Sequence, residues 1–273
     1  LVGTAYTNAA QLSGYESYKL AIKDTMNLKN ETADLKISVS DAGKDLVDVS
    51  SNIKVNSVTD AMSNATTVKS STGTEVFNTF NQAEKSISKS STSEVYNVRE
   101  NNNKNVNKKN ETMNPEVAKS METVADILVG NMKDNVNVTP NGDGTSKVAI
   151  NLAKDQIIPL VNAVASMSMA KNNNEPMHNE KVGNLDVKNM LPQLASGIKV
   201  ESVVVTGDIN KNNIITGQVA KIVVTGLDAK GATHEVTINA NLNLSDINAT
   251  TPNTVDLTGK QVKTVTGHFE GRD

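Results

Sequence analysis

The hydrophobic period of this chain changes from helical to alternating and back three times, and that order is its strongest constraint. A helical stripe comes first, followed by a run of short alternating segments. A second stripe, two alternating segments, a third helical stretch and three closing alternating segments complete the sequence. Periods of about 3.6 and 2 belong to helices and half-buried strands respectively. The order therefore predicts one large antiparallel sheet carrying a few helices.

The opening stripe is Leu12, Tyr15, Tyr18, Ile22 and Met26, with Lys19, Lys23 and Asp24 largely on the other side. Leu35, Ile37 and Val39 then alternate with polar residues, Asp41-Ala42-Gly43-Lys44 supplies a turn, and Val47, Val49, Ile53 and Val55 return. That is a hairpin pattern. Residues 58–100 read as about four weaker strands separated by Ser- and Thr-rich turns, and residues 100–110 as a polar loop. Asn114-Pro115-Glu116 is a helix start, since Asn caps, Pro suits the first turn and Glu favours the positive end. Val117, Met121, Val124, Leu128 and Met132 form its stripe.

Val136 and Val138 pair across Asn141-Gly142-Asp143-Gly144 with Val148, Ile150 and Leu152. A third helix follows Asp155, its apolar face formed by Ile157, Leu160, Val161, Val164 and Met167. A short helix near residues 187–195 stops at Gly197. The strands 198–209 and 214–225 follow. His234, Val236, Ile238, Ala240, Leu242 and Leu244 then alternate without a fault against Glu235, Thr237, Asn239, Asn241 and Asn243. The count is about eleven strands and three or four helices.

Several chemistries are disfavoured. A net charge of −3 lacks the basic face that displaces counterions from nucleic acid. Cysteine is absent, which removes disulfides, thiolate metal sites and a cysteine nucleophile. With 3% aromatics and no Trp, there is almost nothing on which sugars or bases could stack. Asp208-Ile209-Asn210-Lys211-Asn212 imitates the start of a calcium loop. The Gly and the acidic ligand such a loop needs are replaced by Asn213 and Val219, so a polar hairpin turn is the better reading. His178, His234 and His268 share no metal-ligand spacing. No nucleophile elbow, phosphate loop or zinc-helix motif occurs, and the reading is of a non-enzyme without cofactor or metal.

The element order resembles that of the LolA-like and LppX-like envelope lipoproteins. Tyr15-Glu16-Ser17-Tyr18-Lys19 and Val255-Asp256-Leu257-Thr258-Gly259-Lys260-Gln261-Val262 also resemble uncharacterised exported proteins of spore-forming Gram-positive bacteria. The first resemblance implies an α+β fold in which a curved antiparallel half-barrel holds its helices on the concave side. It also implies a lipid or other hydrophobic ligand, carried or sensed in the space between sheet and helices. Tyr18, Ile22, Met121, Val124, Leu160 and Val164 would line that space, with an envelope protein as a further partner. The absent cysteine departs from the lipoproteins, whose acylated anchor is a cysteine. Residues 1–10 read as a signal or anchor remnant or a linker, 11–265 as a single domain and 266–273 as a tail. An extracellular or cell-envelope location follows, close to a membrane through a removed anchor. The alternative is a structural or protein-interaction domain at the cell surface, with a dry core and no ligand.

Overall fold

The computed structural model describes residues 12–100, 133–153 and 191–265. Its elements are α1 (Gly14–Met26), β1 (Asn30–Asp41), β2 (Lys44–Asn56), β3 (Ala61–Ser70), β4 (Gly73–Gln82), β5 (Lys85–Ser90) and β6 (Val95–Glu100). A 3-10 turn (Lys133–Asn135) precedes β7 (Val136–Pro140) and β8 (Ser146–Ala153). β9 (Leu194–Ile209), β10 (Ile215–Asp228), β11 (Thr233–Ser245) and β12 (Gln261–Thr264) follow. All twelve strands form one open sheet in the order β12-β6-β5-β4-β3-β2-β1-β11-β10-β9-β8-β7. Every described pairing is antiparallel except β12 on β6.

The expected α+β half-barrel with three or four helices on its concave side is corrected. Among the described residues the chain is nearly all sheet, with a single α-helix. The stripes at 117–132 and 157–167 lie outside the described residues. The short helix near 187–195 is overturned at its C-terminal end, because Leu194 and Ala195 open the long strand β9. Gly197, read as a helix stop, sits within β9 at φ +62, a left-handed conformation that glycine adopts without steric cost. The pairing with β10 is irregular just there, between Thr225 and Leu227, so a bulge bends the strand and does not end it.

The hairpins stand where alternation placed them, and their registers define two faces. Leu35 pairs with Leu242 and Ser51, Ile37 with Ala240 and Val49, and Val39 with Ile238 and Val47. Ile222 faces Ile238 and Val203, and Leu152 faces Val203. These residues share one apolar face running from β8 to β3. The opposite face carries Lys36, Ser38, Asp48, Ser50, Asn239, Asn241 and Asn243. At β4 to β6 the preference inverts. Phe80, Ile87 and Val98 pair in register on the otherwise polar side, where Ile87 and Val98 are buried.

A capping box starts α1: the Glu16 amide donates to Ser13 Oγ and the Ser13 amide to Glu16 Oε2, both at 3.2 Å. The helix packs on the apolar face over β7–β10, joining Tyr18 and Ala21 to Val136, Val148, Ile209 and Ile215. Its inner side is rotated from the expected stripe, for Leu12 and Met26 are exposed. Small residues explain the rotation. Ala21 is fully buried, and a Cβ on Gly14 would collide with the Val136 carbonyl, so the helix approaches β7 along Gly14, Tyr18 and Ala21. The C-terminal end is tied to the β9–β10 turn, where Asn213 Nδ2 donates to Asp24 Oδ2 at 2.7 Å and the Ile215 amide to Thr25 Oγ1 at 2.9 Å.

After β11 the chain crosses the polar face as an arm, residues 246–260, and ends as β12 beside β6. Side chains of the sheet hold it. Asn30 accepts from the Thr250 amide at 2.7 Å and donates to its carbonyl at 2.8 Å; Gln82 does the same for Val255, both at 2.8 Å. Thr32 and Thr250 join their hydroxyls at 2.8 Å, buried between sheet and arm.

Candidate functional site

The apolar face is the candidate site. Strands β1, β10 and β11 place Leu35, Ile37, Ala220, Ile222, Ile238, Ala240 and Leu242 side by side, and all are half-buried. Ala220 faces Ala240 across β10 and β11, so the centre of the face is low, flanked by Ile37 and Ile222. Period-2 alternation produces this surface, because each strand offers its apolar set to the same side.

Of the residues the sequence nominated, Tyr18 and Ile22 are brought together on α1 over one end of this face. Tyr18 is buried in the cluster with Val136, Val148, Ile209 and Ile215, and Ile22 packs against that cluster. The Tyr18 hydroxyl accepts from Gln218 Nε2; burial raises the phenol's pKa and this hydrogen bond opposes the rise. Met121, Val124, Leu160 and Val164 lie outside the described residues. The strand residues of the face are visible in sequence as alternating positions, but alternation alone does not distinguish a face that binds from one that packs.

Among the carboxyls on the apolar side, that of Glu31 is half-buried on β1. Glu31 continues the alternation of Ala33, Leu35 and Ile37 and pairs with Val55. Its Oε2 is buried without a hydrogen-bond partner. Burial raises its pKa, against the smaller lowering effect of the Lys29 charge. Polar chemistry gathers on the other face, in two open depressions. One, of about 570 Å³, is bordered by Lys36, Asp48, Lys69, Asn239 and Asn241. The other, of about 410 Å³, lies over Lys147, Thr206, Asp208 and Asn243. Lys147 and Asp208 pair at 2.5 Å, both largely exposed.

His234 lies between two carboxylates. Its Nδ1 lies 2.6 Å from Asp41 Oδ2 at the β1–β2 turn, and its Nε2 3.7 Å from Asp228 Oδ2 at the β10–β11 turn. The hydrogen bond to Asp41 raises the imidazole pKa, desolvation opposes this, and Asp228 adds a further rise. The calcium-like segment is a turn: Asn210 Oδ1 accepts from the amides of Asn212 and Ile214 at 2.9 and 3.0 Å. Among the described residues no cluster of three or more His, Cys, Asp or Glu could hold a metal ion.

No protein-family model matches the sequence, and no curated protein does. Among solved structures, the chain is similar to a LolA superfamily protein from Nitrosomonas europaea, at 5% identity and a TM-score of 0.23, over 91% of this chain and 97% of that one. Superposition this loose leaves the functional reading to the geometry of the sheet.

Proposed function

We propose that this chain is a non-catalytic binding protein of the cell envelope or extracellular space that holds a lipid or other hydrophobic molecule against the apolar face of its sheet. The observation that carries this is the half-burial of Leu35, Ile37, Ile222, Ile238 and Leu242 around the low centre at Ala220 and Ala240. Each methylene buried against such a surface contributes about 0.8 kcal/mol, so an acyl chain needs no charged clamp. Tyr18 and Ile22, with Met121, Val124, Leu160 and Val164, are the residues proposed to close over the ligand.

A fluorescent fatty acid titrated into the protein tests the reading. Wild type should bind saturably. Ala240→Trp, which fills the low centre, and Val124→Trp should each weaken binding at least tenfold while the far-ultraviolet circular dichroism is unchanged. Absence of probe binding by wild type would defeat it. The alternative, a structural or protein-interaction domain without ligand, is favoured by one observation: both open depressions lie on the polar face. Organic-solvent extraction of the purified protein followed by mass spectrometry separates the two, since only a carrier yields a stoichiometric lipid.

A further inference from the structure

The arm after β11 is attached to the sheet in a way that any copy of this chain could supply. Asn30 and Gln82 each exchange two hydrogen bonds with the main chain of one arm residue, Thr250 and Val255. Ser63 Oγ accepts from the Asn253 amide at 2.9 Å. All five bonds go to backbone groups, so the clamp reads the main chain of the arm and not its connection to the rest of the molecule. Beyond the clamp, β12 extends the sheet with four residues that are all exposed.

The turn that folds the arm back is strained. Asp246 has φ +48 and Asn248 φ +64, two non-glycine residues in the left-handed region within three positions. Asp and Asn tolerate that region better than most residues, but an extended continuation of β11 relieves both. A strained hinge, a backbone-reading clamp and a terminal strand with no buried anchor together favour exchange of the segment between protomers.

We propose that two copies of this chain exchange their arms, residues 246–264 of each occupying the Asn30–Ser63–Gln82 clamp and the β6 edge of the other. The surface involved is the polar face of β1–β4 together with the β6 edge, and the partner is a second copy. Tethering gives the closed form an effective arm concentration of order millimolar, so exchange populates only when the protein approaches that concentration. Confinement at a surface would supply it.

The chain has no cysteine, so one engineered pair reports which arm fills the clamp. Thr32→Cys with Thr250→Cys replaces two hydroxyls 2.8 Å apart. Reduced samples are held at about 10 µM and about 1 mM, one far below the effective concentration and one near it, then oxidised and run on a non-reducing gel. The dilute sample should give a covalent monomer and the concentrated one a covalent dimer. Asp246→Gly with Asn248→Gly, which removes the hinge strain, should lower the dimer fraction several-fold. Deleting residues 247–249, so that the arm cannot turn back, should give dimer even when dilute. Covalent monomer alone at both concentrations and with both hinges overturns the proposal. Should the cysteine variant not fold, native mass spectrometry of mixed 15N-labelled and unlabelled wild type at the two concentrations decides. Mixed dimers that the 247–249 deletion increases and the double-glycine hinge decreases support exchange, and their absence overturns it.

Discussion

Asn241 and Leu242 are neighbours in sequence and lie on opposite faces of β11. Leu242 packs between Leu35 and Gln218 in the ladder, while Asn241 is exposed opposite Lys36. Leu242→Asp puts a charge on the apolar face and should destabilise by about 2 kcal/mol or more, whereas Asn241→Asp gains a cation across the strand and should do little. Equal melting temperatures for the two would contradict the assignment of faces. His234 carries the residue-scale pH dependence. Its pKa is raised above the ordinary 6.5 chiefly by the hydrogen bond to Asp41, so its stabilising effect is full below the unfolded value and is lost as pH rises through the folded one. The melting temperature should therefore fall across that window, and His234→Gln should flatten this part of the profile. An NMR titration that places the ring at or below the free-histidine value would refute it. Gly14→Ala tests close approach: the obstacle is the backbone of β7, which cannot swing aside, so the variant should lose stability despite alanine's better helix propensity.

Single elements were legible wherever chemistry is local. The β1–β2, β7–β8 and β9–β10 hairpins follow from period 2 and from turn residues such as Ala42-Gly43 and Asn141-Gly142-Asp143-Gly144, because both signals lie within a dozen residues. The inner side of α1 was legible in part: Tyr15, Tyr18 and Ile22 pack on the sheet, but the closest approach is set by Gly14 and Ala21, whose smallness is the signal. The β4–β5 turn shows the opposite case. Ala83 and Glu84 form a two-residue hairpin loop at φ +47 and +59, where Asn-Gly would sit without strain. Ala83→Asn with Glu84→Gly should raise stability by about 1 kcal/mol or more, given a cost of roughly 1–2 kcal/mol for each left-handed residue. A chemical-denaturation midpoint that stays put or falls would show that Ala83 and Glu84 are held by contacts the turn geometry does not reveal.

At the scale of the molecule, most of the sheet was readable and its β12 edge was not. Alternation gives the strands, but β12 is four residues long and reaches β6 only through an arm held by Asn30, Ser63 and Gln82, polar residues some 170 to 220 positions away with no periodic signature. An open sheet also distributes stability unevenly. β1 and β11 are central, with long ladders on both sides, and β7 is overlain by α1 at Gly14. β12 has one neighbour and no buried side chain. Local opening should therefore cost least at β12, more at β7 and most at the centre. Amide hydrogen exchange followed by mass spectrometry measures this directly. Peptides covering residues 258–264 should exchange first, those covering 136–140 later and those covering 33–39 and 236–244 last. If β12 amides exchanged as slowly as those of β11, the arm would be an integral part of the cooperative core and not a separable element laid across it.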